Sequence, residues 1–192
     1  LFSLEGKHAL VTGGAQGLGL TIAEAYCAAG AIVTVADINE EAVKAAAADL
    51  CAQGAKAYSV GCDVSKEDQV TKAIQDAAEL MGGLDIVVAN AGVSSRAPAE
   101  DMTLDQWNKV IDIDLKGVFL CDREAGRYML AHNGGSIINM SSIIGIVGNT
   151  TGNSNYAAAK GGVSSLTKVM AVEWAQRGIR VNAIAPAQTA TK

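Results

Sequence analysis

Tyr156 and Lys160 are the two residues of this 192-residue chain whose spacing points most directly to chemistry. Asn153 and Ser154 precede them and are typical helix-start residues, so Tyr156 is predicted in a first helical turn with Lys160 one turn further on. Side chains four residues apart share a helix face. A phenol ionises only near pH ~10, and an ammonium beside it stabilises the phenolate and lowers that pKa. The pair could therefore move a proton, although a bare Tyr-x-x-x-Lys pattern is usually a solvated helix face.

Composition limits the class of protein that contains this pair. The chain is 49% hydrophobic and has 21 glycines but only two prolines, which favours one compact α/β domain. Its net charge is −5 and its basic residues are scattered, so a nucleic-acid-binding surface is not expected. No apolar run reaches the ~18 residues of a membrane span, and residues 1–5 lack the features of a signal peptide.

Cysteines and histidines give no sign of a metal site. His8 and His132 each stand apart from any cluster of Cys, His or carboxylate side chains. The cysteines lack metal-ligand spacing and are far apart in the sequence, at Cys27, Cys51, Cys62 and Cys121. Such thiols predict a reduced, cytoplasmic protein.

Apolar runs of strand length alternate with helical patterns along the chain. Strands are predicted at residues 7–12, 31–36, 56–60, 84–89, 136–140 and 179–184. Helices are predicted at residues 18–29, 40–53, 66–81, 104–111 and 115–131, and from Tyr156 to near Gly178. The strands are continuous Val, Ile and Ala runs, typical of a parallel sheet buried on both faces. This predicts an α/β, Rossmann-like doubly wound sheet in three layers, with a single domain over residues 1–192.

A glycine-rich loop joins the first predicted strand to the first predicted helix. Its spacing, Gly-x-x-x-Gly-x-Gly, is a relative of the dinucleotide-binding fingerprint and includes Gly13, Gln16, Gly17, Leu18 and Gly19. Glycines there allow a tight turn and let the backbone approach a pyrophosphate at the helix N-terminus. A glycine-rich turn without a ligand is the alternative.

Asp37 stands at the end of the second predicted strand. A carboxylate there accepts hydrogen bonds from the ribose hydroxyls of an adenosine and repels a 2′-phosphate. Ile38 follows it instead of Arg or Lys, so NAD is predicted in preference to NADP. A role for Asp37 as the cap of the helix that begins at Glu40 is also open, and it is compatible with cofactor binding.

With these motifs in this order, the chain resembles the short-chain dehydrogenase/reductase family. The resemblance extends from residue 12 to residue 191, nearly the whole chain. The motifs are the glycine loop, Asp37, Cys62-Asp63-Val64, Ala89-Asn90-Ala91-Gly92, Ser141-Ser142, Tyr156 with Lys160, and Pro186 to Thr191.

The resemblance implies catalytic roles for three of the matched residues. Tyr156 would exchange its proton with the substrate, and Ser142 would hydrogen-bond the substrate oxygen. Lys160 would bind the nicotinamide ribose and lower the pKa of Tyr156. One residue more than is common separates Ser142 from Tyr156, so Ser141 remains an alternative to Ser142.

The resemblance also implies the residues that would bind NAD. Asp63 and Val64 would hold the adenine ring, and Thr189 and Thr191 would contact the carboxamide and the phosphate. The floor under the cofactor would be formed after the fourth strand. The full implied set is Gly13, Gln16, Gly17, Leu18, Gly19, Asp37, Ile38, Asp63, Val64, Asn90, Gly92, Tyr156, Lys160, Pro186, Thr189 and Thr191.

Three features depart from the family pattern. Asp114 stands where the family usually has an Asn in a proton relay. An ionised Asp only accepts hydrogen bonds and would raise the pKa of Tyr156, whereas a protonated Asp could imitate the Asn. Ala187 replaces the glycine that usually follows Pro186. The sequence stops at Lys192, so we expect the family's C-terminal lid and its seventh, edge strand to be absent from it.

These observations predict an NAD(H)-dependent oxidoreductase that interconverts a secondary alcohol and a ketone. By resemblance, the substrate would be a sugar or polyol, a 3-oxoacyl thioester or a related carbonyl compound such as a steroid, and the assembly a homotetramer or homodimer. The alternative is a nucleotide-binding sensor or scaffold that keeps the fold without turnover, and Asp114 and Ala187 are the residues that favour it.

Overall fold

The computed structural model describes residues 2–148, 152–187 and 189 of the chain. One six-stranded sheet has the order β3-β2-β1-β4-β5-β6, and every neighbouring pair is parallel. The strands are β1 His8–Thr12, β2 Ile32–Asp37, β3 Ala57–Gly61, β4 Ile86–Ala89, β5 Gly135–Met140 and β6 Ile179–Ile184. The predicted Rossmann-like, doubly wound sheet is confirmed.

In the described part of the chain six α-helices connect these strands, and most of their ends lie within two residues of the predicted ones. They are α1 Gly17–Ala28, α2 Glu40–Ala52, α3 Glu67–Met81, α4 Leu104–Ile111, α5 Gly117–Ala131 and α6 Ser154–Trp174. Among the described residues, no helix is both long enough and apolar enough to span a bilayer.

The separation predicted between the helices at residues 104–111 and 115–131 is wrong. Asp112–Lys116 form a π-helical turn that joins α4 to α5 without a break. The backbone N–H of Gly117 donates to the carbonyl oxygen of Asp112, five residues earlier, which is the spacing of a π-helix. The wider turn adds a residue between the two helices and lies beside the carboxyl end of the sheet.

Apolar side chains pack against both faces of the sheet, because successive residues of a strand point to opposite sides. On β1, Leu10 belongs to the core under α3, α5 and α6, whereas Ala9 and Val11 belong to the core under α1 and α2. On β4, Val87 likewise faces the first core. Helices therefore cover both faces, as a three-layer fold requires.

The strand order reverses between β1 and β4. In parallel α/β sheets, the crevice at such a reversal, outside the carboxyl ends of the strands, is where ligands bind. Here that crevice lies between the loop after Thr12 and the segment that begins at Asn90.

Candidate active site

The glycine loop after β1 is fixed to the end of β4 by Asn90. The Asn90 amide nitrogen donates to the carbonyl oxygens of Thr12 at 2.9 Å and Gly13 at 3.2 Å. The Thr12 hydroxyl accepts hydrogen bonds from the backbone N–H groups of Asn90 and Ala91. A Cβ atom on Gly19 would collide with the carbonyl oxygen of Gly13, so the first turn of α1 can approach the loop only without a side chain. Asn90 therefore shapes the loop.

The Asp37 carboxylate borders the same loop. Its two oxygens accept hydrogen bonds from the backbone N–H groups of Ala15 at 3.3 Å and Asn39 at 3.1 Å. The cap of α2 is the Asn39 side chain, which accepts from the backbone N–H of Ala42 at 3.0 Å. The alternative in which Asp37 caps this helix is wrong.

A cavity of about 430 Å³ lies against the glycine loop and Asp37. The predicted cofactor residues that line it are Gly13, Gln16, Gly17, Leu18, Gly19, Asp37, Ile38, Asp63, Val64, Asn90 and Gly92. These residues lie in four stretches of the sequence, each of which follows a different strand. The fold places the four stretches side by side.

A second cavity, of about 460 Å³, lies beside the start of α6. The predicted residues that line it and not the first cavity are Ser142, Tyr156, Lys160, Asp114, Pro186 and Thr189. Leu18, Asn90, Gly92 and Val93 line both cavities, so the two form one continuous cleft. Thr191 lies outside the described residues.

Tyr156 is the third residue of α6, in the predicted first helical turn. The expected capping signal at Asn153 makes no side-chain cap hydrogen bond. Asn155 fixes this turn instead: its side-chain oxygen accepts from the backbone N–H of Tyr156 at 2.7 Å, and its amide nitrogen donates to the carbonyl oxygen of Gln106 at 3.1 Å. The fully buried Asn155 thus attaches the start of α6 to α4.

Lys160 reaches the cleft from one turn further along α6. Its ammonium nitrogen lies 5.5 Å from the ring centroid of Tyr156 and donates to the carbonyl oxygen of Met140 at 2.8 Å. It also lies 3.1 Å from Oδ2 of Asp114. The two charged side chains are almost completely buried, Asp114 at 0% and Lys160 at 3% exposure.

Asp114 projects from the π-helical turn into the cleft. Its Oδ1 accepts a hydrogen bond from the backbone N–H of Val93 at 2.7 Å, which fixes the segment after β4. Burial raises the pKa of Asp114, and the charge of Lys160 and the hydrogen bond from Val93 oppose that rise. A Cβ atom on Gly92 would lie 2.7 Å from Oδ2, so this glycine leaves room for the carboxylate.

The pKa of Tyr156 is raised in this structure, in the direction predicted for an ionised Asp114 and against that predicted for Lys160. Burial of the phenol raises the pKa most, a hydrogen bond with the Ser142 side chain lowers it, and the charge of Asp114 raises it further.

The two serines after β5 have different surroundings. The Ser141 hydroxyl donates to the carbonyl oxygen of Lys160 at 2.9 Å and lies 2.7 Å from the Ser164 hydroxyl, so it attaches β5 to α6. The Ser142 hydroxyl accepts from the backbone N–H of Ile144 and hydrogen-bonds Tyr156. The surroundings therefore favour Ser142, not Ser141, as the serine available to a substrate.

Sequence reasoning missed three polar groups of the site. They are the carbonyl oxygen of Met140, the amide of Asn155, and the guanidinium of Arg96, which also lines the second cavity. The place of Asn155, an amide residue directly before Tyr156, was a signal in the sequence that could have indicated its role. A backbone carbonyl has no signal in the sequence, and Arg96 lies in an irregular segment with no periodic pattern.

The chain matches the family model for short chain dehydrogenases over residues 7–192. It belongs to the short-chain dehydrogenase/reductase family. Dehydrogenases of this family use nicotinamide cofactors, and the proteins similar to this chain are named as oxidoreductases.

Two curated relatives of this short-chain dehydrogenase/reductase cover nearly its full length. It is 44% identical over 181 residues to the cis-4-hydroxycyclohexanecarboxylate dehydrogenase of Sinomonas cyclohexanicum, a match that spans 94% of this chain and 72% of that protein. It is 40% identical over 191 residues to the D-threitol dehydrogenase of Mycolicibacterium smegmatis, spanning 100% of this chain and 73% of that protein.

A solved structure shows the same fold. The short-chain type dehydrogenase/reductase from Mycobacterium marinum superposes with a TM-score of 0.94 at 40% identity, covering 97% of this chain and 76% of that one. The chain therefore spans about three-quarters of the length of these proteins.

Proposed function

We propose that this chain is an NAD(H)-dependent oxidoreductase that interconverts a secondary alcohol and a ketone, with Tyr156 as the acid/base. The main support is the continuous cleft in which Tyr156, Ser142 and Lys160 open onto the glycine-loop cavity. Proton transfer and dinucleotide binding would then take place in adjoining parts of one site.

The glycine-loop cavity suits a nicotinamide dinucleotide. Gly13 and Gly19 leave the backbone accessible to a ligand. A side chain at either position would collide with a neighbouring segment of the same polypeptide. The first turn of α1 contains no acidic residue, so nothing there repels a pyrophosphate at the helix N-terminus. Asp37 would accept hydrogen bonds from the adenosine ribose and repel a 2′-phosphate, which favours NAD over NADP.

The remaining proposed cofactor residues line the same cleft. Asp63 and Val64 line the glycine-loop cavity and would hold the adenine. Pro186 and Thr189 line the Tyr156 cavity and would border the nicotinamide. NAD supplies the hydride acceptor, or NADH the donor, at C4 of the nicotinamide ring.

The residues around Tyr156 would move one proton in each catalytic cycle. In ketone reduction the Tyr156 phenol gives its proton to the substrate oxygen, which also accepts a hydrogen bond from Ser142. In alcohol oxidation the phenolate takes the hydroxyl proton. Lys160 orients the cofactor ribose and is itself held by Asp114 and the Met140 carbonyl. The raised pKa of Tyr156 moves formation of the phenolate, and with it alcohol oxidation, to higher pH.

We further propose a homotetramer or homodimer in which residues 1–192 form one catalytic domain. Val169 and Val172 on α6 are 54% and 80% exposed, and a second subunit would cover them. The cytoplasmic location predicted from the cysteines stays a prediction.

Absorbance of NADH in the presence of ketones, polyols and acyl thioesters tests the proposed activity. Tyr156→Phe should bind NADH as well as the parent does, whereas its turnover should fall by about 10²-fold or more, because only the hydroxyl is removed. Tyr128→Phe on α5 is the matched control, since this ring stacks on His132 away from the cleft, and it should keep parental turnover.

Near-normal turnover of Tyr156→Phe would remove Tyr156 from the mechanism. Binding of NADH with no turnover of any probe would support the alternative of a nucleotide-binding sensor or scaffold.

A further inference from the structure

Arg96 provides a positive charge in the cavity that contains Tyr156. It lies in the irregular segment between β4 and α4, and its exposed side chain lines the cavity together with Ser94 and Asn153. The glycine-loop cavity is lined by other residues and not by Arg96. Arg96 is therefore placed to meet the substrate and not the phosphates of the cofactor.

Hydrogen bonds on both sides hold the backbone around Arg96. On one side, the backbone N–H of Val93 donates to Asp114 at 2.7 Å. On the other, the backbone N–H of Ala97 donates to the carbonyl oxygen of Gly152 at 2.8 Å. Gly152 has a φ of 63° and packs so closely on the carbonyl of Ala97 that a Cβ atom would lie 2.8 Å from it. The segment that presents the guanidinium is thus attached directly before the first turn of α6.

The other charges that line this cavity compensate one another. Lys160 and Asp114 form a buried ion pair at 3.1 Å. Arg96 makes no ion pair with any residue in the described part of the chain. Among the residues that the structure describes, the cavity therefore has one uncompensated positive charge, in a protein whose net charge is −5.

We propose that the substrate is an anion: an alcohol or ketone whose carboxylate binds Arg96 while its hydroxyl or carbonyl carbon lies at Tyr156. This inference rests on the proposed function and specifies its substrate class. A guanidinium forms two parallel hydrogen bonds with a carboxylate, which fixes the orientation of the substrate as well as its charge. A phosphate monoester has nearly two negative charges, and one arginine would leave the second uncompensated.

Comparing the rates with hydroxy acids and with their primary amides separates recognition of the substrate's charge from recognition of its shape. We would use straight-chain acids of graded length with the secondary hydroxyl on the penultimate carbon, and follow NADH formation by the parent, Arg96→Gln, Arg96→Lys and the control Arg177→Gln. Arg177 lies in the short turn after α6, outside the residues that line the cavity.

The parent should show a kcat/KM for the best acid at least about 10-fold above that for its amide, the effect of one charge-assisted hydrogen-bonded pair. Arg96→Gln should abolish this preference by slowing the acid only, Arg96→Lys should keep part of it, and Arg177→Gln should keep all of it. Equal rates for acids and amides in the parent would overturn the inference, as would a preference that survives Arg96→Gln or a stronger preference for a phosphorylated alcohol.

A binding measurement decides the inference even if no alcohol is oxidised. Titration of the NADH-loaded parent and Arg96→Gln with hexanoate and hexanamide, neither of which can react, reports carboxylate binding alone. Hexanoate binding that exceeds hexanamide binding and disappears in Arg96→Gln supports the anion site. Equal or absent binding of both by the parent overturns it, whereas absent turnover with carboxylate binding intact contradicts only the proposed function.

Discussion

The carboxylate of Asp114 and the ammonium of Lys160 form an ion pair at 3.1 Å in the interior of the protein. Both charged groups are buried, and the ammonium also donates to the carbonyl oxygen of Met140 at 2.8 Å, so it keeps a polar partner if the side chain at position 114 is uncharged. The Asp114 side chain thus helps to position Lys160, and its charge adds to burial, the larger effect, in raising the pKa of Tyr156.

Asp114→Asn should keep or raise the activity and move the acidic limb of the pH–rate profile for alcohol oxidation to lower pH. The amide oxygen can still accept from Val93, while the negative charge that raises the pKa of Tyr156 is lost. A profile of kcat/KM against pH measures the shift.

Asp112→Asn is the matched control for this prediction. Asp112 lies in the same π-helical turn, but it pairs with Lys116 at 2.8 Å and both side chains are about half exposed, at 48% and 47%. Its profile should coincide with that of the parent. A collapse of kcat in folded Asp114→Asn would instead mean that the carboxylate transfers protons itself.

Asp37→Ala should lower kcat/KM with NAD by about 10-fold or more, because hydrogen bonds from the ribose to a charged group are lost. With NADP the same variant should improve, since the carboxylate no longer repels the 2′-phosphate. Asp49→Ala, on the exposed side of α2, should change neither value. The proposed preference for NAD is untenable if the parent already has the higher kcat/KM with NADP.

Gly19→Ala should weaken NADH binding and lower the free energy of unfolding by about 1–3 kcal/mol. The added methyl would collide with the carbonyl oxygen of Gly13 and lie 2.6 Å from the Asn90 amide nitrogen, so the loop would have to move. Gly148→Ala is the control, because a Cβ atom there would meet nothing within 4 Å. Fluorescence titration with NADH and urea unfolding measure the two effects. Parental values for both in Gly19→Ala would show that the loop tolerates a side chain.

Asp122 should make the stability of the protein depend on pH. It is fully buried on α5, and burial raises its pKa to about 7 despite a 2.7 Å hydrogen bond from the Asn139 amide. The folded protein thus holds a proton that the unfolded chain, with a pKa near 3.8, releases earlier. The protonated Asp122 contributes up to roughly 4 kcal/mol to the free energy of unfolding. This contribution is fully present below about pH 4 and is lost as the pH rises to about 7.

Asp122→Asn should flatten this dependence, because the new amide has no proton to lose and its oxygen can still accept from Asn139. Urea unfolding of parent and variant at about pH 4.5 and about pH 8 gives the difference. Asp76→Asn should retain the parental slope. The Asp76 carboxylate lies on the surface, where it pairs with Lys72, whose side chain is 73% exposed. An unchanged slope in Asp122→Asn would assign the pH dependence to other groups.

Much of the fold and part of the site could be predicted from local patterns. Continuous Val and Ile runs predict buried parallel strands, and the four-residue spacing of Tyr156 and Lys160 predicts a shared helix face. The spacing of the glycine loop and the place of Asp37 at the end of the second strand predict that both bind one dinucleotide, and the fold places both against one cavity. Each of these features depends on residues close together in the sequence.

The features that were missed depend on tertiary packing. The π-helical turn places Asp114 beside Lys160. It could not be predicted from the spacing of apolar residues, because an extra residue in a helix interrupts the regular helical period. The raising of the Tyr156 pKa by the charge of Asp114 was predicted, whereas the larger effect of burial was not, because the burial of the phenol depends on the packing of the whole fold. The choice between Ser141 and Ser142 required the position of Ser164, which only the packing of α6 on β5 defines.

The π-helical turn makes the number of residues in this segment as important as their identity. A helix rotates by about 100° per residue, and the wide turn takes up one extra residue without passing that rotation on to α5. Deleting one residue would restore a regular helix and remove the turn that places Asp114 beside Lys160, whereas inserting one would rotate the buried face of α5, including Val118, Ala125 and Met129, away from the core. Insertions and deletions should thus be far less tolerated here than in the irregular segment around Arg96, and in random libraries the length of the turn should vary less than its half-exposed residues Asp112 and Lys116.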